Sequence, residues 1–202
     1  MKLLLTSEGL TTGKIRRAFL SLLSKPVQKN KVLIVHTAKL RKHFGYVRSI
    51  KKTLLRLGIR KENILDVNIT KKVNAKNYTG FDIFYSCGGN TFYILDRLRK
   101  TGFDKFIKKF VKNNKLYVGV SAGSYIICPT IEAATWKHAD NNIIGLKELT
   151  ALNLVPFIVT AHYAAKFKKI IDEAEANTTY KVKRLTNRQA LIISNGKVRK
   201  IT

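Results

Sequence analysis

The chain has 202 residues, 45% of them hydrophobic, which suffices for one substantial core and one domain over residues 1–202. Aromatic and β-branched residues run along its whole length, which excludes a disordered tail, and no apolar run reaches the roughly 18 residues that a membrane-spanning helix needs. The formal net charge of +27 raises binding of nucleic acid or another polyanion, but lysine and arginine are spread along the chain rather than gathered into one arm or stripe, so they read as solvated helix faces.

Met1-Lys2-Leu3-Leu4-Leu5-Thr6-Ser7 opens like a signal peptide, but the apolar run is short and Glu8-Gly9 follows at once. Leu3–Leu5 therefore reads as a first buried strand, and a cytoplasmic location is expected. Ile15, Ala18, Phe19, Leu22 and Leu23 then form a stripe of helical period. Val32–His36 is apolar at nearly every position, as strands buried on both faces of a parallel sheet are. A second helical stripe, Val47, Ile50, Leu54 and Leu57, precedes strand candidates Ile64–Val67 and Phe81–Ser86. A helix carrying Leu95 and Leu98 comes next. Phe103, Phe106, Ile107, Phe110 and Val111 form a third stripe whose lysines fall on the opposite face, so it reads as core packing rather than a nucleic-acid patch.

Strand candidates Leu116–Val120 and Phe157–Thr160 follow, then a fourth stripe of Phe167, Ile170, Ile171 and Ala174. At the end, Ala190–Ser194 and Lys197–Ile201 flank Asn195-Gly196, a dipeptide suited to the type I′ turn of a hairpin. The sum is an α/β fold: a mostly parallel sheet with helices on both faces and an antiparallel finish.

The sharpest chemical signal is Gly119-Val120-Ser121-Ala122-Gly123, a G-x-S-x-G sequence between an apolar strand and a helix start. A serine on such an elbow projects its hydroxyl at the carboxyl end of the sheet, which makes Ser121 the candidate nucleophile. The amide of Ala122, at the helix start, can donate to a developing oxyanion. Cys87-Gly88-Gly89-Asn90-Thr91 follows another strand. Its glycines can turn backbone amides toward a ligand, Gly89 foremost, and Asn90 or Thr91 can cap the next helix or face substrate. No phosphate-binding lysine follows, so this is not a P-loop.

A serine nucleophile needs a base. Among the four histidines, His162 follows an apolar strand and so reaches the same sheet edge as Ser121. His36 also ends a strand, His43 opens a helix and His138 lies in a polar loop. Cys87 and Cys128 stand in no metal-type spacing, which argues against a disulfide or a zinc site.

In order and spacing, Cys87-Gly88-Gly89-Asn90-Thr91-Phe92, Val118-Gly119-Val120-Ser121-Ala122-Gly123 and Ala161-His162-Tyr163 resemble the aspartyl dipeptidase (peptidase E) and cyanophycinase family of serine peptidases. Cys128-Pro129-Thr130-Ile131 looks like the peptidase E branch, and Leu5-Thr6-Ser7 and Leu185-Thr186-Asn187-Arg188-Gln189-Ala190 fit as well. The resemblance implies a fold like class I glutamine amidotransferases, with serine in place of cysteine. It implies Ser121 as nucleophile, His162 as base, the Gly89 and Ala122 amides as oxyanion hole, and hydrolysis of small peptides with an N-terminal aspartate. No metal or cofactor is expected, nor a specific nucleic-acid or membrane partner; a monomer or homodimer is.

Two departures stand out. Cys87 replaces a frequent glycine, which is mild. The family's acidic third member falls where this chain has Asn187. Asparagine can orient a histidine but cannot neutralise an imidazolium. Asp172, Glu173 and Asp140 are the alternative acids, and an impaired copy is the alternative reading. The substrate carboxylate is expected to meet a basic side chain near the Gly89–Asn90 loop, with Arg97 and Lys166 the candidates.

Overall fold

The computed structural model describes every residue except 39–43 and 138–139. Among the described residues the strands are β1 (Lys2–Thr6), β2 (Val32–His36), β3 (Ile64–Asn68), β4 (Ile83–Ser86), β5 (Leu116–Val120), β6 (Phe157–Thr160), β7 (Lys181–Arg184), β8 (Ala190–Ser194) and β9 (Lys197–Ile201). The α-helices are α1 (Gly13–Ser21), α2 (Phe44–Arg56), α3 (Thr91–Thr101), α4 (Phe103–Lys112), the one-turn α5 (Ala122–Tyr125) and α6 (Lys168–Ala176).

Seven strands form the central sheet in the order β3-β2-β4-β5-β1-β8-β9. The first five in that order pair in parallel; β8 runs antiparallel to β1 and β9 antiparallel to β8. Alternation along each strand explains the layers. Leu3, Leu5, Leu33 and Val35 pack on one face with Leu95, Leu98, Phe103 and Ile107 of α3 and α4. Leu4, Val32 and Ile34 pack on the other with Ile15, Phe19, Ile50 and Leu54 of α1 and α2. Leu3, Leu4 and Leu5 are each fully buried, contributing roughly 1.5–3 kcal/mol apiece. Thr12 caps α1, its hydroxyl accepting from the amide of Ile15 at 3.2 Å.

The C-terminal hairpin turns at Asn195 and Gly196, with φ of 50° and 73°, as the type I′ turn requires. Two sequence expectations are corrected, and one strand is added. The fourth strand begins at Ile83 rather than Phe81, because the Asp82 carboxylate is drawn to the Lys31 amide at 3.0 Å and the Lys25 ammonium at 2.7 Å. β6 does not join the central sheet; it pairs in parallel with β7 in a separate two-stranded sheet. The strand β7 itself goes unseen in the sequence because Lys181-Val182-Lys183-Arg184 is mostly charged and only half-buried at best.

Register delivers three chain segments to one sheet edge. Thr6 pairs with Val120 and Ser86 with Gly119, so the residues after β1, β4 and β5 leave the sheet at one level. Thr6 also pairs with Ala190 across the antiparallel β1–β8 ladder, so the residues preceding β8 arrive at that level too.

Candidate active site

Ser121 follows β5 with φ 50° and ψ −111°, a backbone conformation that costs a non-glycine residue roughly 1–3 kcal/mol. The neighbours hold it there. The Ser121 amide donates to Thr6 O at 2.9 Å. The buried Ser124 hydroxyl donates to Thr6 O at 2.9 Å or to Gly119 O at 3.0 Å, and accepts from the Thr6 amide at 3.1 Å. The turn is so tight that a Cβ on Gly119 would sit 2.6 Å from Gly123 O, and one on Gly123 would sit 2.5 Å from Ser86 O. Both glycines of the motif are therefore steric requirements of the elbow.

His162 lies beyond β6, with φ 55°. Its amide donates to the Ser7 hydroxyl at 3.1 Å, and that hydroxyl donates to Leu185 O at 3.0 Å. The segment is fixed again at Ala161, whose amide donates to the Tyr125 hydroxyl at 3.1 Å and whose carbonyl accepts from Lys137 Nζ. The imidazole Nε2 stands 2.9 Å from Ser121 Oγ, and Nδ1 stands 2.7 Å from Asn187 Oδ1. An amide oxygen only accepts, so Nδ1 carries the hydrogen and Nε2 is left to accept from the serine hydroxyl. Asn187 Nδ2 in turn donates to Glu8 Oε1 at 2.8 Å.

Two of the three alternative acids are engaged elsewhere. Asp172 pairs with Lys168 and Arg184, and Asp140 accepts from the Thr91 amide and hydroxyl. Glu173 lies exposed on α6, and neither imidazole nitrogen bonds to it: Nδ1 faces Asn187 and Nε2 faces Ser121. The acid that connects to the imidazole, through the Asn187 amide, is Glu8, which sequence reasoning missed. No local pattern could have found it: only the antiparallel pairing of β8 with β1 brings position 187 to the residues just after β1.

His36 is placed away from the serine in its bonding. Its Nδ1 accepts from the Ala38 amide at 3.1 Å and its Nε2 faces Asp66 at 3.3 Å. Burial lowers its pKa, against the opposing pull of Asp66. His43 and His138 lie outside the described residues. Both cysteines are free and buried, and burial pushes the Cys87 thiol far up and the Cys128 thiol to about 12, so neither supplies a thiolate near neutral pH.

Ser121 and His162 line a cleft of about 770 Å³ whose walls include Glu8, Tyr46, Gly89 and Tyr93. Gly88 backs directly onto Ser121, where a Cβ would meet Ser121 Cβ at 3.3 Å. Gly89 has φ 143°, a conformation open to glycine, and borders the cleft. Ala122 begins α5, where an amide lacks an intrahelical acceptor. Asn90 also lines the cleft, while its Oδ1 caps α3 at the Tyr93 amide at 3.0 Å and its Nδ2 donates to Asn141 O at 2.8 Å. Thr91 is fully buried, with its amide and hydroxyl both turned to Asp140. Arg97 donates to Ile69 O at 2.8 Å and Lys166 lies over the Phe167 ring at 5.0 Å; neither lines the cleft. Among the described residues, no lysine or arginine does. No group of three or more potential metal ligands occurs among the described residues.

A hydroxyl on a strained elbow, a histidine poised to take its proton and glycine-lined amides beside it can carry out acyl transfer. Comparison with known proteins places the chain among peptidases. The model of peptidase family S51 matches residues 3–201. An uncharacterized peptidase of Pasteurella multocida is 36% identical over 132 residues, 63% of this chain and 60% of that protein. An uncharacterized peptidase of Listeria innocua is 33% identical over 159 residues, 76% of this chain and 75% of the other. A crystal structure of a candidate peptidase E from Listeria monocytogenes EGD-e superposes with a TM-score of 0.81 at 28% identity, covering 99% of this chain and 97% of that one. The elbow, the paired sheet edge and the match over nearly every residue lead to one assignment: this chain belongs to peptidase family S51.

Proposed function

We propose that this protein is a serine-type peptidase that cleaves small peptides, with dipeptides bearing an N-terminal aspartate as its first-choice substrates. The observation that carries the reading is the 2.9 Å approach of His162 Nε2 to Ser121 Oγ on a strained elbow.

In the reaction, Ser121 Oγ attacks the peptide carbonyl carbon while His162 Nε2 takes the hydroxyl proton. The carbonyl oxygen becomes an oxyanion received by the amides of Gly89 and Ala122. The C–N bond breaks as His162 returns the proton to the leaving amine, and an ester to Ser121 remains. Water then attacks that ester, His162 takes its proton and hands it back to Ser121 as the acid leaves. Asn187 holds the imidazole in the tautomer that this cycle needs.

Aspartate preference comes from the family resemblance and is the finer part of the proposal. The cleft of about 770 Å³ beside Ser121 has room for a dipeptide. Binding of polyanions is the competing reading, supported by the net charge and by a shallow basic groove that includes Lys14, Arg17, Arg199 and Lys200. Such binding collapses as salt rises.

The test is release of free amino acids from a dipeptide panel, with and without N-terminal aspartate, by wild type and Ser121→Ala in moderate salt. Hydrolysis by wild type alone is expected. Equal background hydrolysis by both proteins would sink the reading.

A further inference from the structure

The third member of the site raises a physical problem that the structure answers. Asn187 meets His162 Nδ1 where a carboxylate would ordinarily balance the imidazolium, and an amide carries no charge. An asparagine also has two nearly isosteric faces. Were the amide turned over, its NH₂ would point at Nδ1 and favour the wrong imidazole tautomer. Something must hold the amide one way, and something must supply the missing charge.

One residue does both. Glu8 Oε1 accepts from Asn187 Nδ2 at 2.8 Å. An ionised carboxylate only accepts, so it fixes the NH₂ on its own side and leaves Oδ1 for the histidine. The contact spans 179 positions of sequence and is enforced by the fold. Glu8 comes two residues after β1 and Asn187 three before β8, and the antiparallel register of those strands pairs Thr6 with Ala190. Thr11, on the same loop as Glu8, places its hydroxyl 3.5 Å from the Asn187 carbonyl, a long contact on that side.

We propose that Glu8 is the acidic positioning residue of this site, acting on His162 through the Asn187 amide in a relay of Ser121, His162, Asn187 and Glu8. The relay stands on the serine-peptidase reading given above. No covalent step is added: Glu8 stays ionised, and protons move only between Ser121, His162, substrate and water. Because Glu8 and Asn187 are solvent-exposed, its influence is modest and weakens with ionic strength. Lys137, whose ammonium donates to the Ala161 carbonyl beside His162, is the nearby cation and stays unchanged in every variant below.

The experiment is a double-mutant cycle of Glu8→Gln and Asn187→Asp, read in two ways. The first is kcat and KM on the best dipeptide as a function of pH. The second is the rate at which a fluorophosphonate labels Ser121, with Ser121→Ala as blank, which needs no peptide substrate. In the wild-type background Glu8→Gln should lower kcat/KM and the labelling rate roughly three- to tenfold, the scale of one partly screened charge. The acid limb of the kcat/KM profile should shift to lower pH, since a lost anion makes His162 harder to protonate.

In the Asn187→Asp background the sign should invert. The introduced carboxylate faces Glu8, so Glu8→Gln now relieves repulsion and raises activity. Equal losses in both backgrounds, with KM rising and the acid limb unmoved, would show Glu8 holding substrate rather than orienting the histidine, and would overturn the relay. Indifference of labelling to Glu8→Gln would overturn it as well. Labelling of wild type that depends on Glu8 without cleavage of any peptide would retain the relay and reject the peptidase reading. Absence of labelling of wild type would reject both.

Discussion

The hydroxyl of Ser7 receives the amide hydrogen of His162 at 3.1 Å, so the residue after the first strand holds the backbone of the candidate base. Ser7 is almost fully buried, and the carbonyl it donates to, Leu185 O, has a second donor in the Tyr163 amide at 2.8 Å. Ser7→Ala therefore strands the His162 amide rather than the carbonyl. We expect a loss of about 1–2 kcal/mol in urea denaturation together with a roughly tenfold fall in kcat/KM carried mostly by kcat. An unchanged kcat in a protein of reduced stability would show that the clamp stabilises the fold without positioning the imidazole.

The two histidines of the cleft should behave oppositely. His162→Ala should cost at least roughly a thousandfold in kcat/KM, as Ser121→Ala should, because each removes one half of a single proton-transfer unit. His36→Asn should retain activity within about threefold, since its ring nitrogens are engaged by Ala38 and Asp66. Kinetics of the three variants on one dipeptide settles the assignment of the base.

A methyl group on the elbow should unfold it. In Gly123→Ala the new carbon would lie 2.5 Å from the Ser86 carbonyl oxygen, a backbone atom that cannot rotate aside. The expected cost is about 3 kcal/mol, seen as a drop of roughly 6–12 °C in Tm, with activity lost even below the transition. Gly145→Ala, with no atom within 4 Å of the added carbon but φ of 62°, is the comparison for backbone strain alone.

Lys137 should imprint a pH dependence on stability. Burial lowers its pKa from 10.5 to about 8, with Asp140 opposing. Between those two values the unfolded chain holds a proton that the folded chain has released, so folding stability rises with pH across pH 8 to 10.5. Lys137 keeps part of its solvent contact, so the rise attributable to it should be roughly 1–2 kcal/mol rather than the full value of the shift. Urea midpoints at intervals across that window, for wild type and Lys137→Met, should differ in slope, the variant being flatter.

The inner strands of the central sheet are legible in the sequence because they are buried on both faces. Leu3–Leu5 and residues 32–35 leave no polar position to confuse them, and Asn195-Gly196 announces its turn. A short, fully buried, mostly apolar run looks the same whichever sheet it joins, and so β6 passes for a central strand although its partner is β7. That partnership depends on contacts 24 positions apart that no local pattern encodes, such as Phe157 with Lys181. At the site, the positions of Ser121 and His162 are readable from strand ends, whereas Glu8 is not. An exposed glutamate in a loop looks like any other charge until β8 lies down against β1. The acids weighed near His162 are close in sequence, but α6 turns Asp172 toward Lys168 and Arg184.

The hairpin that ends the chain has a bearing on timing. A ribosome delivers Ser121 and His162 well before Asn187, and Glu8 waits from the start for a partner that β8 alone can bring. Until that strand pairs with β1, Asn187 and Glu8 are not brought together and the imidazole lacks its tautomer lock. On the serine-peptidase reading proposed above, reactivity would be withheld from the incomplete polypeptide until the sheet closes, so that labelling of Ser121 during refolding would clock the docking of β8.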